Sequence, residues 1–349
     1  MSASEAVEST PIDPTMGPPM DPQRYAVTAR AIEAEIAKAI VGQRALVRTV
    51  LVCLLCEGHV LLEGVPGLGK TQLLKTLAQA ISLDVSRLQF TPDLMPADIV
   101  GTQVLEEDES GRRRFVYRPG PVFASLVLAD EINRATPKTQ SARLEAMQER
   151  AVTVAGETRP LPRPFLVMAT QNPLEMEGTY PLPEAQLDRF LLKALVPFPT
   201  ADELAGVLSM TTTTGTPDVR SVASAAELIA MITLTRQVPI ASHLVRHAVD
   251  LVIATHPNQT SAPEVVRRFV RFGASPRGGQ ALILAAKATA LLDGRPNVSA
   301  TDVRAVATSA LRHRLVLGYE ATVDAVSADS IVQSVLEAVP EPPPGLRGL

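Results

Sequence analysis

The sequence has 349 residues, 46% of them hydrophobic, with 37 acidic and 33 basic side chains and a net charge of −4. This length is enough for about two domains and a sizeable buried core, which indicates a globular protein. The slight acidic excess gives no general attraction for phosphate backbones, and a chain with no Trp, four Tyr and eight Phe has few rings on which bases could stack. Nucleic acid is therefore not the favoured partner.

No apolar stretch reaches the roughly 20 residues that span a bilayer. The longest, residues 47–56, is interrupted by Arg48 and closed by Glu57, and the first residues lack the basic start and apolar centre of a secretory signal. We therefore expect no transmembrane helix and a cytoplasmic location. Residues 1–22 and 339–349 are rich in Pro without apolar periodicity, which predicts disordered tails.

Cys53 and Cys56 have the spacing of a redox or metal-binding pair, but they lie within an apolar helical segment. A structural zinc site needs four ligands, and no second pair or nearby His completes one. Two small buried side chains are the favoured interpretation.

The order of elements predicts an α/β domain over residues 23–199. Helical spacing over 26–38 and 44–56 is followed by a short apolar run, a Gly-rich loop, and a helix with Leu73, Leu74 and Leu77 on one face. Strands that are apolar throughout and alternate with helices form parallel sheets covered on both faces. The predicted strands are 59–62, 86–90, 125–129, 165–169 and 191–196.

Two segments do not fit a plain wound sheet, and each predicts an inserted β-hairpin: residues 103–117, and residues 151–154 with a turn at Ala155-Gly156. The first carries the basic run 112–114, flanked by glutamates. A solvated tip whose charges pair with one another is favoured over a nucleic-acid contact.

After about residue 200 the strand patterns end and helical patterns dominate. Several of these segments are opened by Ser or Thr caps. A second, all-helical domain is therefore predicted over residues 200–338, with helices near 225–236, 242–255, 278–292 and 300–312.

The strongest motif is the loop that follows the first predicted strand. It reads Gly64-Val65-Pro66-Gly67-Leu68-Gly69-Lys70-Thr71 and matches GxxxxGK[ST]. Its glycines allow backbone N–H groups to surround phosphate oxygens, while Lys70 would supply a charge to the β and γ phosphates of ATP and Thr71 a hydroxyl to Mg²⁺. Because the loop also opens a predicted helix, phosphate binding is favoured over a simple Gly-rich turn.

Polar residues follow two further predicted strands. Asp130 could hold the Mg²⁺ shell and Glu131 could orient or deprotonate the attacking water, since both lie at the ligand-binding edge of such a sheet. Asn172 could hydrogen-bond the γ-phosphate or that water. Taken alone, each of these residues would be interpreted as part of a turn. Because they follow the phosphate-binding loop 64–71 in the same predicted sheet, a role in a nucleotide site is favoured.

Together these segments resemble the AAA+ ATPases and, among them, closely resemble the MoxR family, over about residues 26–338. The resemblance depends on the P-loop and on the following segments: Ile40-Val41-Gly42-Gln43, residues 90–98, 118–121, 130–135, 145–149, 169–173 and 177–190, and Ser275-Pro276-Arg277. It implies an AAA+ P-loop NTPase core with inserted hairpins, followed by a helical lid.

The resemblance also implies roles for individual residues. Val41 and Gly42 would contact adenine, Asp130 and Glu131 would form the Walker B pair, and Asn172 would be the sensor 1 residue. The two hairpins correspond to the helix-2 and pre-sensor-1 insertions.

Two arginines complete the implied site. Arg189 matches the finger that reaches a neighbouring subunit's γ-phosphate, and Arg277 matches the sensor 2 arginine of the lid. From the residues alone, Arg189 could instead pair with Asp188, and Arg277 could cap a helix. A finger acting across an interface requires oligomerisation, and the resemblance implies a homo-oligomeric ring, most often a hexamer. Arg143 is charged where the family more often has an apolar residue.

The resemblance implies an ATP-driven chaperone that remodels a protein client together with a partner containing a von Willebrand factor A domain. A nucleic-acid motor of the same clade is disfavoured by the acidic balance. The ATPase subunit of a metal chelatase is not separated from the first hypothesis by the sequence. A nucleotide-binding switch with little hydrolysis is disfavoured by Glu131 and Arg189.

Overall fold

The structure is a computed structural model that describes residues 19–107, 112–136, 139–140, 146–173, 179–215 and 217–342. The predicted tails lie mostly outside the described residues, as do the hairpin tip at 108–111 and Arg143. The first helix begins at Pro22, where the side chain of Asp21 accepts a hydrogen bond from the amide of Arg24. This is the usual N-terminal cap of a helix.

The N-terminal part of the described chain alternates helices and strands. Its helices are α1 (Pro22–Ala37), α2 (Arg44–Leu55), α3 (Lys70–Ala80), α4 (Pro96–Val100) and α5 (Glu184–Leu187). Its strands are β1 (Val60–Glu63), β2 (Val85–Gln89), β3 (Gly101–Glu107), β4 (Arg113–Pro119), β5 (Leu126–Asp130), β6 (Ala151–Val154), β7 (Glu157–Pro160), β8 (Leu166–Gln171) and β9 (Leu192–Leu195).

Five of these strands form one sheet in the order β2-β5-β8-β1-β9, and all neighbours are parallel. The central strands are buried on both faces because helices and loops cover each side with a separate apolar cluster. The α/β core predicted from the apolar runs is confirmed. Since the strands are parallel, their carboxyl ends all meet at one edge of the sheet.

The two predicted hairpins are present outside this sheet, as β3 with β4 and β6 with β7. In the first, Arg113 lies 3.3 Å from Glu107 and Arg118 lies 2.7 Å from Glu106. The pairing of charges within this hairpin, predicted from its sequence, is therefore seen in its described residues.

The C-terminal part is mainly helical, as predicted. Ser224, Ser275, Ser299 and Ser327 each cap a helix by accepting a backbone N–H bond. Its helices are α6 (Ala201–Thr211), α7 (Ala225–Gln237), α8 (Ser242–Ala254), α9 (Glu264–Phe269), α10 (Pro276–Leu292), α11 (Ala300–Leu311), α12 (Tyr319–Val323) and α13 (Ala328–Ala338). The prediction that this domain is all-helical is wrong in one respect: β10 (Val270–Phe272) pairs antiparallel with β11 (Val316–Leu317), and strands this short give no readable period. Four of its helices, α6, α9, α12 and α13, are also outside the predicted ranges.

This C-terminal helical part, called the lid below, is packed against the sheet domain rather than joined to it by a free linker. Apolar residues of α10 and α11 belong to the same buried cluster as α1, α2 and one face of the sheet. Cys53 and Cys56 are buried in this cluster, as expected. Among the described residues, no single helix has the length and apolar composition of a membrane span; the bent pair of α7 and α8 meets those criteria only when the two are taken together.

Candidate nucleotide site

The P-loop connects the end of β1 to the start of α3. Gly67 and Gly69 have φ of +85° and +74°, where L side chains are strained, and a Cβ on either would meet no protein atom within 4 Å. The Cβ position of each glycine therefore faces open space rather than protein atoms. The Lys70 ammonium donates to the Gly64 carbonyl at 2.6 Å, so the lysine lies along the loop. Val65 is partly buried against the core.

A cavity of about 440 Å³ opens between this loop and the carboxyl ends of β2, β5 and β8. It brings together the predicted residues Lys70, Thr71, Asp130, Glu131 and Asn172. Its full lining is Pro66, Gly67, Gly69, Lys70, Thr71, Gln72, Arg87, Gln89, Asp130, Glu131, Thr170 and Asn172.

The two carboxylates of this cavity are held by neighbouring strands. Asp130 accepts hydrogen bonds from the Thr170 hydroxyl at 2.6 Å and from the Arg87 guanidinium at 2.7 Å. Glu131 accepts from the Gln89 amide at 2.8 Å and lies 3.2 Å from Arg134. The positions of both carboxylates are therefore set by strands β2 and β8.

Glu131 has a left-handed backbone, with φ of +56°. Its amide donates to the Thr170 hydroxyl at 2.9 Å, which helps to hold this conformation. Non-glycine residues in this region cost free energy and are concentrated at functional sites. This left-handed conformation turns the chain sharply after Asp130, and both carboxylates line the cavity.

Burial lowers the pKa of the Lys70 ammonium, while Asp130 and Glu131 act in the opposite direction by favouring the charged form. The lysine is therefore partly desolvated and faces two carboxylates. A triphosphate entering this cavity would meet a cation already shielded from water, which strengthens their attraction. Thr71 and Asp130 offer the hydroxyl and carboxylate oxygens that Mg²⁺ takes, so this donor set fits the metal.

An apolar cavity of about 600 Å³ continues from the phosphate cavity, because Pro66, Gly67, Gly69 and Gln72 line both. Val41, Leu68 and residues of α6 supply its apolar walls. A base could occupy the apolar part while its phosphates reach Lys70. Gly42 does not line this cavity: its φ is +67°, and a Cβ there would lie 2.1 Å from the Glu203 carboxylate.

Sequence reasoning missed several side chains of the site. Thr170, Arg87 and Gln89 contact the two carboxylates, and Gln43 donates to the Leu68 carbonyl of the P-loop at 3.3 Å. Arg87 and Gln89 stand two residues apart on the edge strand β2, so polar side chains on one face of that strand were the available signal.

Arg189 and Arg277 lie together in a different cavity of about 220 Å³. Five arginines and two carboxylates line it, which leaves an excess of positive charge. These are Arg150, Arg189, Arg236, Arg277 and Arg314, with Glu57 and Asp188. The alternative pairing of Arg189 with Asp188 is not seen: within the described chain Asp188 binds Arg314 rather than Arg189, and Arg189 Nε is buried without a hydrogen-bond partner.

This arginine cavity lies at the opposite edge of the sheet from the P-loop. Glu57 and Gly58 precede β1 and Arg189 precedes β9, whereas the P-loop follows β1. From Gly58 to Gly64 the chain advances six residues, or about 20 Å at the rise of a strand. Arg189 and Arg277 are therefore far from the phosphate cavity of their own chain.

Comparisons with known proteins agree with this architecture. A sequence model of the ATPase family associated with various cellular activities (AAA) matches residues 59–192, and one of the AAA lid domain matches residues 263–335. A crystal structure of a Cytophaga hutchinsonii protein has a TM-score of 0.86 and 37% identity, covering 92% of this chain and 97% of that one.

Similar sequences include Chaperone MoxR1 of Mycobacterium tuberculosis, which is 46% identical over 88% of this chain and 81% of its own length. YeaC of Bacillus subtilis is 42% identical over 91% of this chain and 96% of its own. Protein MoxR of Paracoccus denitrificans is 33% identical over 90% of this chain and 96% of its own length. With this P-loop, this sheet and this lid, the chain belongs to the MoxR family of AAA+ ATPases.

Proposed function

We propose that this chain hydrolyses ATP to ADP and phosphate with Mg²⁺ as cofactor. Glu131 orients the attacking water and accepts its proton as the oxygen bonds to the γ-phosphorus and the bridge to the β-phosphate breaks. Lys70 stabilises charge on the β and γ phosphates, and Asn172 hydrogen-bonds the γ-phosphate or the water. Bound Mg²⁺, held by Thr71 and Asp130, would neutralise phosphate charge.

The observation that carries the rest of the proposal is the separation of Arg189 and Arg277 from the P-loop of their own chain. A phosphoryl-transfer site gains greatly from an arginine near the γ-phosphate. In the phosphate cavity the candidate is Arg87, which is bound to Asp130. We infer that Arg189 and Arg277 both act in the phosphate cavity of a neighbouring copy.

Two different surfaces of one chain then meet at each interface: the P-loop edge of one copy and the arginine edge of the next. Such head-to-tail contacts form a closed ring when the rotation between copies closes. This arrangement supports a homo-oligomeric ring, and the expected number of six copies comes from the resemblance to the family. The excess of arginines over carboxylates in the arginine cavity suits a neighbouring triphosphate.

The site is tested by mixing two inactive variants. Lys70→Ala chains lack a working P-loop but keep their arginines, and Arg189→Ala chains have the opposite defect. Mixed copies should recover part of the ATPase activity, since a working pair forms at some interfaces. Recovery for Arg277→Ala as well would place both arginines in the neighbour's site; no recovery for either, with both variants folded, would reject the shared site.

We further propose that hydrolysis drives remodelling of a protein client in the cytoplasm, together with a partner containing a von Willebrand factor A domain. The name of the Mycobacterium tuberculosis relative, a chaperone, supports the class of activity. The Glu131→Gln variant should hold ATP and retain the partner and client during purification, with Lys70→Ala as the matched control. A protein set that is identical for both variants would contradict this part of the proposal.

A further inference from the structure

Arg314 is the most deeply buried cation of the arginine cavity, with 2% of its side chain exposed. It follows α11 in the lid, yet its guanidinium binds the loop before β9. Nη2 donates to the carbonyls of Asp188 and Phe190 at 3.1 and 2.6 Å, and Nη1 donates to the carbonyl of Leu191 at 3.1 Å. The backbone on both sides of Arg189 is thus held by one lid side chain.

The Asp188 carboxylate connects the same arginine to the start of α10. It accepts Arg314 Nε at 2.9 Å and the Ser275 hydroxyl at 2.9 and 2.8 Å. Ser275 in turn accepts the amide of Arg277 at 3.1 Å and caps the helix that carries this residue. The loop of Arg189 and the helix of Arg277 therefore share Asp188 as a common anchor.

The chemistry of the group favours a positioning role over simple packing. Burial lowers the pKa of Arg314 to about 10, with the Asp188 carboxylate opposing that shift, so the guanidinium stays charged at neutral pH. A planar fork can bind several carbonyls in fixed directions, which a lysine ammonium cannot reproduce. Hydrogen bonds in several fixed directions hold a group in one orientation, and here they hold the backbone on both sides of Arg189.

On the basis of the shared site proposed above, we propose that Arg314, through Asp188, is the positioning residue that holds Arg189 and Arg277 as one rigid unit for the neighbouring copy's phosphate cavity. Because both arginines are anchored by a lid side chain, any movement of the lid must carry the two together. Arg314 itself, being buried, does not touch the nucleotide.

The test uses Arg314→Lys in the full chain, with Arg312→Lys as matched control. Arg312 lies two residues away and pairs with Asp329 at 2.9 Å, within the lid. We expect Arg314→Lys to keep its ATP affinity within about twofold, because its own P-loop is intact, and to lose about tenfold or more in kcat through misplacement of the two arginines. Arg312→Lys should keep wild-type kcat.

Recovery of activity on mixing with a second variant distinguishes misplaced arginines from a general loss of stability, because an unstable chain would not recover. Mixed with Lys70→Ala chains, whose arginine edge is intact, Arg314→Lys chains should recover activity as Arg189→Ala chains do. Wild-type kcat for Arg314→Lys, or no recovery for it while Arg189→Ala recovers, would overturn the inference and leave the shared site standing. If Arg189→Ala also fails to recover, the shared site itself is rejected.

A second variant keeps the proposal testable should Arg314→Lys not fold. Ser275→Ala removes one hydroxyl from the Asp188 anchor and leaves Arg314 in place. It should show the same pattern with a smaller loss, namely lower kcat, unchanged ATP affinity and recovery with Lys70→Ala chains. Wild-type kcat in this variant would contradict the anchor.

Discussion

The hydroxyl of Thr170 lies 2.6 Å from Asp130 Oδ1 and, at 2.9 Å, also accepts the amide hydrogen of Glu131. One side chain of β8 therefore orients both acidic residues at the end of β5. It fixes the carboxylate of the residue assigned to Mg²⁺, and it helps to hold the left-handed backbone of the residue assigned to the water. The Asp130 carboxylate and the Glu131 backbone therefore form one unit through this hydroxyl.

We expect Thr170→Val to weaken this unit. The methyl group that replaces the hydroxyl leaves the partly buried Glu131 amide without its acceptor, which should lower the free energy of unfolding by about 1–3 kcal/mol. The kcat should fall about tenfold, and half-maximal activity should need more Mg²⁺, since Asp130 is no longer oriented. ATPase rates over a Mg²⁺ series measure both effects.

Thr170→Ser provides the control for this prediction, because it keeps the hydroxyl and loses only a methyl group. It should remain near the wild-type values. Equal losses in the serine and valine variants would show that the methyl group, and not the hydrogen bonds, matters at this position.

Glu131→Gln separates binding from turnover. The introduced amide oxygen can still accept the hydrogen bond that Gln89 now donates at 2.8 Å, so the cavity should keep its shape. ATP affinity should stay within about twofold, whereas kcat should fall by about 100-fold or more because the amide cannot accept a proton. Single-turnover kinetics with bound ATP measure the chemical step, and normal turnover would remove Glu131 from its assigned role.

Much of the phosphate site could be predicted because its parts are local in sequence. The P-loop, Asp130 and Asn172 each follow an apolar run, and parallel strands bring such ends to one edge. The contacts of Thr170 and Gln89 could not be predicted, because they depend on which strands are neighbours. The order β2-β5-β8 is set by long-range packing and leaves no mark on a local pattern.

The arginine cavity, at the edge of the sheet opposite the P-loop, could also be predicted from the sequence only in part. Arg189 precedes its strand whereas the phosphate-binding residues follow theirs, so its distance from the P-loop was available from strand direction alone. The position of Arg277 was not, since it depends on how the lid packs. Arg314 gave no signal, because its partners before β9, the Asp188 carboxylate and three backbone carbonyls, lie more than 120 residues earlier in the chain.

The P-loop glycines allow a matched comparison between backbone strain and ligand contact. Gly67 and Gly156 have φ of +85° and +83°, and a Cβ on either meets nothing within 4 Å, but Gly156 lies in the turn between β6 and β7. Alanine at either position should cost about 1–2 kcal/mol of stability, the usual strain of a left-handed residue.

Only Gly67→Ala should also lose nucleotide affinity, by about tenfold or more, since its methyl group would enter the space between the loop and the phosphates. Titration of each variant with ATP, alongside urea unfolding, separates the two effects. A similar loss of affinity in Gly156→Ala would mean that backbone strain alone weakens binding, and the loss in Gly67→Ala could then not be assigned to contact with the phosphates.

His313 should make the stability of the protein depend on pH. It is buried beside Arg314, its Nε2 lies 3.0 Å from the Phe190 carbonyl, and burial followed by the charge of Arg314 lowers its pKa well below the ordinary value. The folded chain therefore keeps this ring neutral, while the unfolded chain takes up a proton below about pH 6.5.

Since the unfolded state binds the extra proton, the free energy of unfolding must fall as the pH falls below about 6.5, and above that pH this loss is absent. His313→Gln removes the titrating group while its amide can still donate to the Phe190 carbonyl. Urea unfolding of both proteins should show the wild type losing about 1 kcal/mol more than the variant between about pH 6.5 and pH 5.5. Parallel losses in the two proteins would mean that the folded state accepts the proton at this ring, and that the pocket around Arg314 is less closed than its contacts indicate.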